Sequence, residues 1–395
     1  MLNRRILRVK AFQTLYAYEQ CKGSNLNLAK DHIKDSFQPD LNSMEFQDKD
    51  LLDAQANAAM SLLDSSVQAG KTHIEAGEDE KVNRVAKEAL EQYLKSNQAD
   101  RDFLVKNMVS SAERIPQLYL STIQLLIAFS EHVANEFEKK RKFEGKTGTA
   151  GTDKGLNFAN NSILKAIKQS KSFQAAIARY HVSLDDIELE IKEWFREYVK
   201  PSEEYQEYLK IENPDSKDDL NAAEGILKRI IFKNEVILNY FVEKDLNWVE
   251  NKSIVRSLAS KVLKNAADTD SNGDNLIPEL AINWEEDREF FQNIFKFTLE
   301  EGPKSKALIA QKTQNWDIER LAFTDKVIIS MAVAEMKNFP SIPVKVSINE
   351  YIDISKTYST PKSKQFVNGL LDVMSKELTE SGEIRKSGRG LLDNK

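Results

Sequence analysis

Residues 4–20 read RRILRVKAFQTLYAYEQ, and their spacing decides the fold. Leu7, Ala11, Leu15 and Tyr18 recur at three- and four-residue intervals, the repeat that lines one face of an α-helix. Ile6, Val9, Phe12 and Tyr16 widen that stripe, so much of the helix circumference must be buried. The same period returns along most of the chain, alternating β-branched runs are scarce, and Gly and Pro fall between the helical stretches. The class read from this pattern is all-α.

Outward from that helix, residues 21–113 turn polar and alanine-rich, with helical segments around 49–65 and 79–95. They read as an accessory helical insertion. A strong amphipathic helix over 115–142 runs into a Gly/Thr/Lys stretch at 144–155, expected to be a flexible linker. Further helices are expected over 162–180, after Ser183 with Asp185 and Asp186 in its first turn, and over 222–243 and 252–266. Beyond a polar loop come 285–300, 304–312, 317–337, 348–358 and 361–378. Ser347 with Glu350 reads as a capping box, with Val346 and Tyr351 as its hydrophobic staple. Thr360 before Pro361 reads as a cap followed by proline in the first helical position. The domain reading is therefore a first core helix (1–20), a helical insertion (21–215), the rest of the core (216–380) and a disordered tail (381–395).

Composition sets the outer bounds. The 395 residues carry 56 Lys and Arg against 62 Asp and Glu, a formal charge of −6, and 41% hydrophobic residues, enough for a substantial core. A lone cysteine, Cys21, allows no internal disulfide, and no Cys/His cluster has zinc spacing; a cytoplasmic home is expected. The longest clean apolar stretch, 327–334, is far below the ~20 residues that span a bilayer, and no membrane association is expected. The acidic balance confines any nucleic-acid binding to a local basic patch.

One such patch opens the chain: Arg4, Arg5, Arg8 and Lys10 with no acidic residue among the first ten. At ~100° per residue the three arginines lie within about 100° of arc, so their guanidinium groups are expected to face one run of phosphates. An ordinary solvated helix start is the bland alternative, although cations at a helix N-terminus oppose the macrodipole. A second patch gathers Tyr358, Lys362, Lys364 and Phe366 around the start of the last helix, where lysines and helix N–H groups suit phosphate and a ring suits a splayed base. Its bland alternative is that Phe366, Leu370, Val373 and Met374 form a core stripe.

These residues also carry a family resemblance. Arg4-Arg5-x-x-Arg8 followed by Gln13-Thr14-Leu15-Tyr16 resembles the opening of the NusB family of transcription antitermination factors. Phe323 to Met336, then Ile342 to Glu350, resemble the family's last helices in order, and Ser363 to Asp372 resembles its closing K-F-V-N-G-V-L-D signature. The likeness covers residues 1–20 and 285–380, and 222–266 more loosely. It implies an all-α fold of two three-helix bundles, here with a large helical insertion. It also implies a non-catalytic factor without cofactor that binds single-stranded boxA-like RNA together with NusE, a small-subunit ribosomal protein. Such a factor helps load an antitermination complex on RNA polymerase, notably in rRNA synthesis. By position, Arg4, Arg5 and Arg8 match the RNA-binding start, Tyr358 and Phe366 the aromatics flanking RNA, and Tyr16, Glu319 and Asp325 the contacts with NusE. Lys362 departs from a position the family often fills with an acidic residue, making this face more positive. Asn368-Gly369 is read as structural, glycine for close helix approach and asparagine for tying down backbone. On this reading Arg4→Ala with Arg8→Ala weakens RNA binding and leaves helix content unchanged.

Other chemistries are weaker. Gly145-Lys146-Thr147 lacks the first glycine of a phosphate loop and follows a helix. Asp268, Asp270, Asn272, Gly273 and Glu279 satisfy the EF-hand loop pattern formally, but Pro278 and the polar Asn275 sit where the loop does not want them, and no second loop pairs with it. Calcium stays the minor reading there, and no metal is assigned. An rRNA cytosine methyltransferase would need a downstream α/β domain and a catalytic cysteine, and none of the histidines has a motif partner. A helical protein–protein scaffold without RNA binding remains the alternative function.

Overall fold

The computed structural model describes residues 2–42, 44, 46–75, 77–144, 155–268, 276–312 and 322–394. The described residues hold helices and turns with no strand, so the class is all-α as read. Sixteen α-helices are named here in chain order. Two compact units share them, one built from residues 1–6 and 110–287, the other from 7–109 and 288–395.

In the first unit, α4 (Ile115–Glu144) and α12 (Trp248–Ala267) pack together and collect shorter helices around them: α5 (Leu156–Ala159), α6 (Ser162–Gln169), α7 (Lys171–Arg179), α8 (Glu188–Trp194), α9 (Glu203–Tyr208), α10 (Ser216–Ile226) and α11 (Glu235–Lys244). Trp248, 1% exposed, stacks with Phe232 on one pairing (5.8 Å, 8°) and Phe241 on another (4.4 Å, 12°). Asp219 is a second organising point. Its carboxylate accepts from the Ser162 backbone N–H at 2.7 Å, from Ser162 Oγ at 2.5 Å and from the Tyr208 hydroxyl, so it satisfies the start of α6. The expected 162–180 helix is in fact two, because Ser170 ends one and caps the next by accepting from Phe173 N–H. Ser183 Oγ accepts from Asp185 N–H, and the chain enters α8 through a 3₁₀ turn.

The second unit takes α1 (Arg4–Ser36) from Leu7 onward, and the helix does not stop near Gln20. Ala29, Ile33 and Phe37 extend its stripe and pack with Ala56, Ala59 and Leu63 of α2 (Lys49–Gln68) and with Val82, Val85, Ala86, Ala89 and Leu90 of α3 (Glu80–Glu113) as a three-helix cluster. The Asn25 amide donates to Asn97 Oδ1 (2.9 Å) and Asp100 Oδ2 (2.7 Å), so tertiary contacts carry the helix through Gly23-Ser24-Asn25, residues of low helix propensity. Further along lie α13 (Trp284–Lys312, with Pro303 inside it), α14 (Phe323–Asn338), α15 (Val344–Tyr358) and α16 (Ser363–Glu380). The last three pack mutually, and α14 is buried almost all round, from Val327 to Met336.

Both marked helix starts differ from expectation. Pro343 precedes α15, so Ser347 lies inside the helix and fully buried, its hydroxyl donating to Glu335 Oε1 at 2.6 Å instead of capping. The last helix begins at Ser363, where Thr360 Oγ1 and Ser363 Oγ sit 2.8 Å apart and Ser363 N–H donates to the Thr360 carbonyl.

The tail is not disordered over its described part, to Asn394. Ile384 is buried, Ser387 N–H donates to the Pro340 carbonyl at 3.0 Å, Lys386 Nζ to the Phe339 carbonyl at 3.0 Å, and a 3₁₀ turn spans Gly388–Asn394. A side chain at Gly390 would collide with the Pro340 carbonyl, so glycine permits that close approach. Lys337 Nζ clamps the tail's root, 2.6 Å from Glu301 and 2.9 Å from Glu383. The hydrogen bond from Lys337 holds the Glu383 carboxyl below its ordinary value. A carboxyl depressed in the folded state contributes stability above its unfolded pKa of about 4.3 and loses it as pH falls through the folded value. Because Glu383 is half exposed, the effect is only about 0.5 kcal/mol. Hydrogen exchange at residues 384–390 is expected to quicken in acid relative to α15 and α16, and Glu383→Gln to remove that difference.

Candidate nucleic-acid interface

The second unit carries most of the residues read as a site, and it divides them sharply. Arg8 is 3% exposed. Its Nε and Nη2 donate to Glu335 Oε2 and Oε1 at 2.7 and 2.8 Å, and its Nη1 lies 3.6 Å from Glu350. Glu335, fully buried, also accepts from Ser347 and from the Tyr351 hydroxyl at 3.0 Å, while the Phe290 ring lies 5.3 Å from the guanidinium carbon. Burial pulls the Arg8 pKa down, but the hydrogen bond and charge of Glu335 outweigh it, and the net shift is upward. Burial, with Glu335 beside it, holds the Tyr351 phenol far above its ordinary value. Arg8 thus clasps α1 to α14 and α15, and the expectation that it faces phosphate is corrected. Lys10 is likewise buried, 2% exposed, and is not offered to solvent.

Asp325 is corrected in the same way. It is 3% exposed and accepts from Ser363 Oγ at 2.6 Å, which places it under the start of α16 rather than on an acidic docking face. Hydroxyls continue from it: Ser359 Oγ lies 3.0 Å from Ser363 Oγ and 3.0 Å from Thr324 Oγ1. This relay fixes the turn from Tyr358 to Ser363. Glu319 lies outside the described residues. Tyr16 is at the surface, edge-on to the exposed Phe323 at 5.2 Å.

The turn so fixed presents the other patch. Lys362 and Lys364 are exposed with no acidic partner among the described residues, and Tyr358 and Phe366 are half-buried, Tyr358 leaning on Phe12 at 5.2 Å. Phe366 is not in the core stripe of α16, which runs through Val367, Leu370, Leu371 and Met374; Val373 is exposed as well. The structural reading of Asn368-Gly369 is also corrected. Both residues are exposed, and nothing lies within 4 Å of where a Gly369 side chain would start. Beside them, Asn349, Ile352, Asp353, Lys356, Lys364, Gln365 and Asn368 line a groove of about 390 Å³ between α15 and α16. Sequence reasoning missed this groove and Glu335. A lone carboxylate inside the apolar run of α14 was the available signal for the latter, because a buried charge requires a partner.

In the first unit, Arg4 Nη2 sits 2.5 Å from Glu286, and Arg5 is exposed. For the calcium loop, Asp270 and Asn272 lie outside the described residues, as does Gly145-Lys146-Thr147. Glu279 follows a segment anchored by Asn265, whose amide donates to the Leu276 carbonyl at 3.1 Å. Burial pushes the Cys21 thiol up, with Asp100 adding to it, the opposite of what a nucleophile needs. No described helix is long and apolar enough to cross a membrane.

The all-α unit, with two exposed lysines and two half-buried rings at the start of its last helix, defines a helical-bundle protein. The NusB family model matches residues 253–376. Three relatives carry the name transcription antitermination protein NusB. That of Salinibacter ruber is 39% identical over 105 residues, 27% of this chain and 66% of the relative. That of Chloroherpeton thalassium is 38% identical over 145 residues, 35% and 68% respectively. That of Koribacter versatilis is 37% identical over 94 residues, 24% and 64%. The chain belongs to the NusB family. It covers 64–68% of the length of these relatives. No solved structure matches it.

Proposed function

We propose that this protein is a non-catalytic transcription antitermination factor of the cytoplasm. It binds single-stranded boxA-like RNA together with a NusE-like ribosomal protein and so supports an antitermination complex on RNA polymerase, notably in rRNA synthesis. The observation that carries the reading is the start of α16. Two exposed lysines, without acidic partners among the described residues, stand beside two half-buried rings, on a turn held by the Asp325 hydroxyl relay, within the stretch matched by the family model. Lys362 and Lys364 neutralise phosphate while Tyr358 and Phe366 offer ring faces to unstacked bases. Arg4 and Arg5, on the other unit, are separate phosphate contacts, Arg4 giving up part of its charge to Glu286. The partner protein seats on the exposed Tyr16 and Phe323 pair.

Fluorescence anisotropy of a labelled boxA-like RNA against salt concentration tests this. Lys362→Glu with Lys364→Glu is expected to weaken binding at least tenfold and to reduce the log–log salt slope by about 1.4, two single-strand phosphate contacts. Unchanged affinity and slope in that variant would refute the site. A wild-type protein that captures the ribosomal partner but shows no salt-sensitive RNA binding would establish the scaffold alternative instead.

A further inference from the structure

The groove between α15 and α16 has a lining that packing does not account for. Among the described residues, Asn349, Gln365 and Asn368 are exposed carboxamides with no hydrogen bond to protein, and Lys364 has no acidic partner. Ile352, 7% exposed, gives an apolar wall, and Asp353 pairs with Lys356 at one side. The volume, about 390 Å³, falls in the range of small-ligand pockets. Carboxamides pair donor and acceptor in one plane, the pattern that matches a base edge; a carboxylate accepts from an exocyclic amine, and ammonium groups meet phosphate.

Gly369 adds an independent observation. Glycine inside a helix costs about 1 kcal/mol relative to alanine. No neighbouring element lies within 4 Å of where its Cβ would stand, so no close approach demands that cost here. At 100° per residue it sits in the middle of the exposed arc of α16, between Phe366 on one side and Gln365 and Asn368 on the other. A bare backbone there lets a ligand strand lie directly on the helix.

We propose that one unpaired nucleotide of the RNA strand drops its base into the α15–α16 groove, read by Asn349, Gln365 and Asn368, where the strand crosses α16 over Gly369 from the Phe366 side. This rests on the RNA-binding reading above. It specifies one base-reading position on an otherwise phosphate-driven surface.

The test scans a boxA-like RNA with single abasic substitutions against the full-length protein and against Asn349→Ala with Asn368→Ala. In the wild type one abasic position is expected to cost about tenfold in affinity. In the double variant the intact RNA should bind about tenfold more weakly, and the same abasic position should cost nothing more. Gly369→Ala is expected to raise the melting temperature while weakening RNA binding several-fold. If the wild type binds RNA but the abasic penalties persist unchanged in the double variant, the groove does not read a base and the inference falls while the RNA reading stands. If the wild type binds no RNA, both fall. Gly369→Ala with undiminished affinity would remove the crossing over α16.

Discussion

Arg8→Ala is expected to cost the second unit about 3–5 kcal/mol, the loss that follows when one partner of a buried ion pair is removed and the other stays. Glu335 would then be a buried carboxylate left, among the described residues, with the Ser347 and Tyr351 hydroxyls and without its paired guanidinium. Arg8→Lys should recover only part of the loss, since an ammonium cannot reproduce two parallel donors to Oε1 and Oε2. Replacing both partners, Arg8→Met with Glu335→Leu, should restore most of it by deleting both charges. Hydrogen exchange along α14 and α15, with thermal unfolding, reads the effect. An Arg8→Ala protein within 1 kcal/mol of wild type would show that the clasp does not hold the unit. The sequence-based expectation that the arginine substitutions leave helix content untouched is therefore kept for Arg4 only.

Trp248→Ala is expected to cost the first unit a similar 3–5 kcal/mol. The indole lies nearly parallel to both Phe232 and Phe241, so its removal opens a cavity and ends two stacked contacts together. Trp248→Phe should be far milder, because it keeps an aromatic ring and removes an indole N–H that has no hydrogen-bond partner among the described residues. Exchange rates in α11 and α12 should rise in the alanine variant and barely move in the phenylalanine one. Equal effects would mean that shape rather than stacked surface sets the stability here.

Much of this was legible because period and burial speak the same language. The stripe from Leu7 to Leu15, the apolar run of α14 and the family blocks carry the all-α class and the NusB likeness in sequence alone. What was not legible depends on partners distant in sequence. Arg8 looks like its neighbours Arg4 and Arg5 until Glu335, 327 residues away, is seen to claim it. Ser347 satisfies a capping pattern locally, but the helix starts earlier and spends that hydroxyl on the same carboxylate. Asp325 carries a surface charge on paper and lies under Ser363 in space. Asn368 and Gly369 read as packing devices because helix interiors rarely leave such residues to solvent.

The uninterrupted course of α1 has a mechanical consequence. From Arg8 to Ile33 the axis advances roughly 38 Å without a break, so the alanine-rich cluster at its far end and the clasp at its near end ride on one stiff rod. Displacing the cluster would carry Arg8 along with it, and because Arg8 is bonded to Glu335 on α14, the two ends of the rod cannot shift independently of that helix.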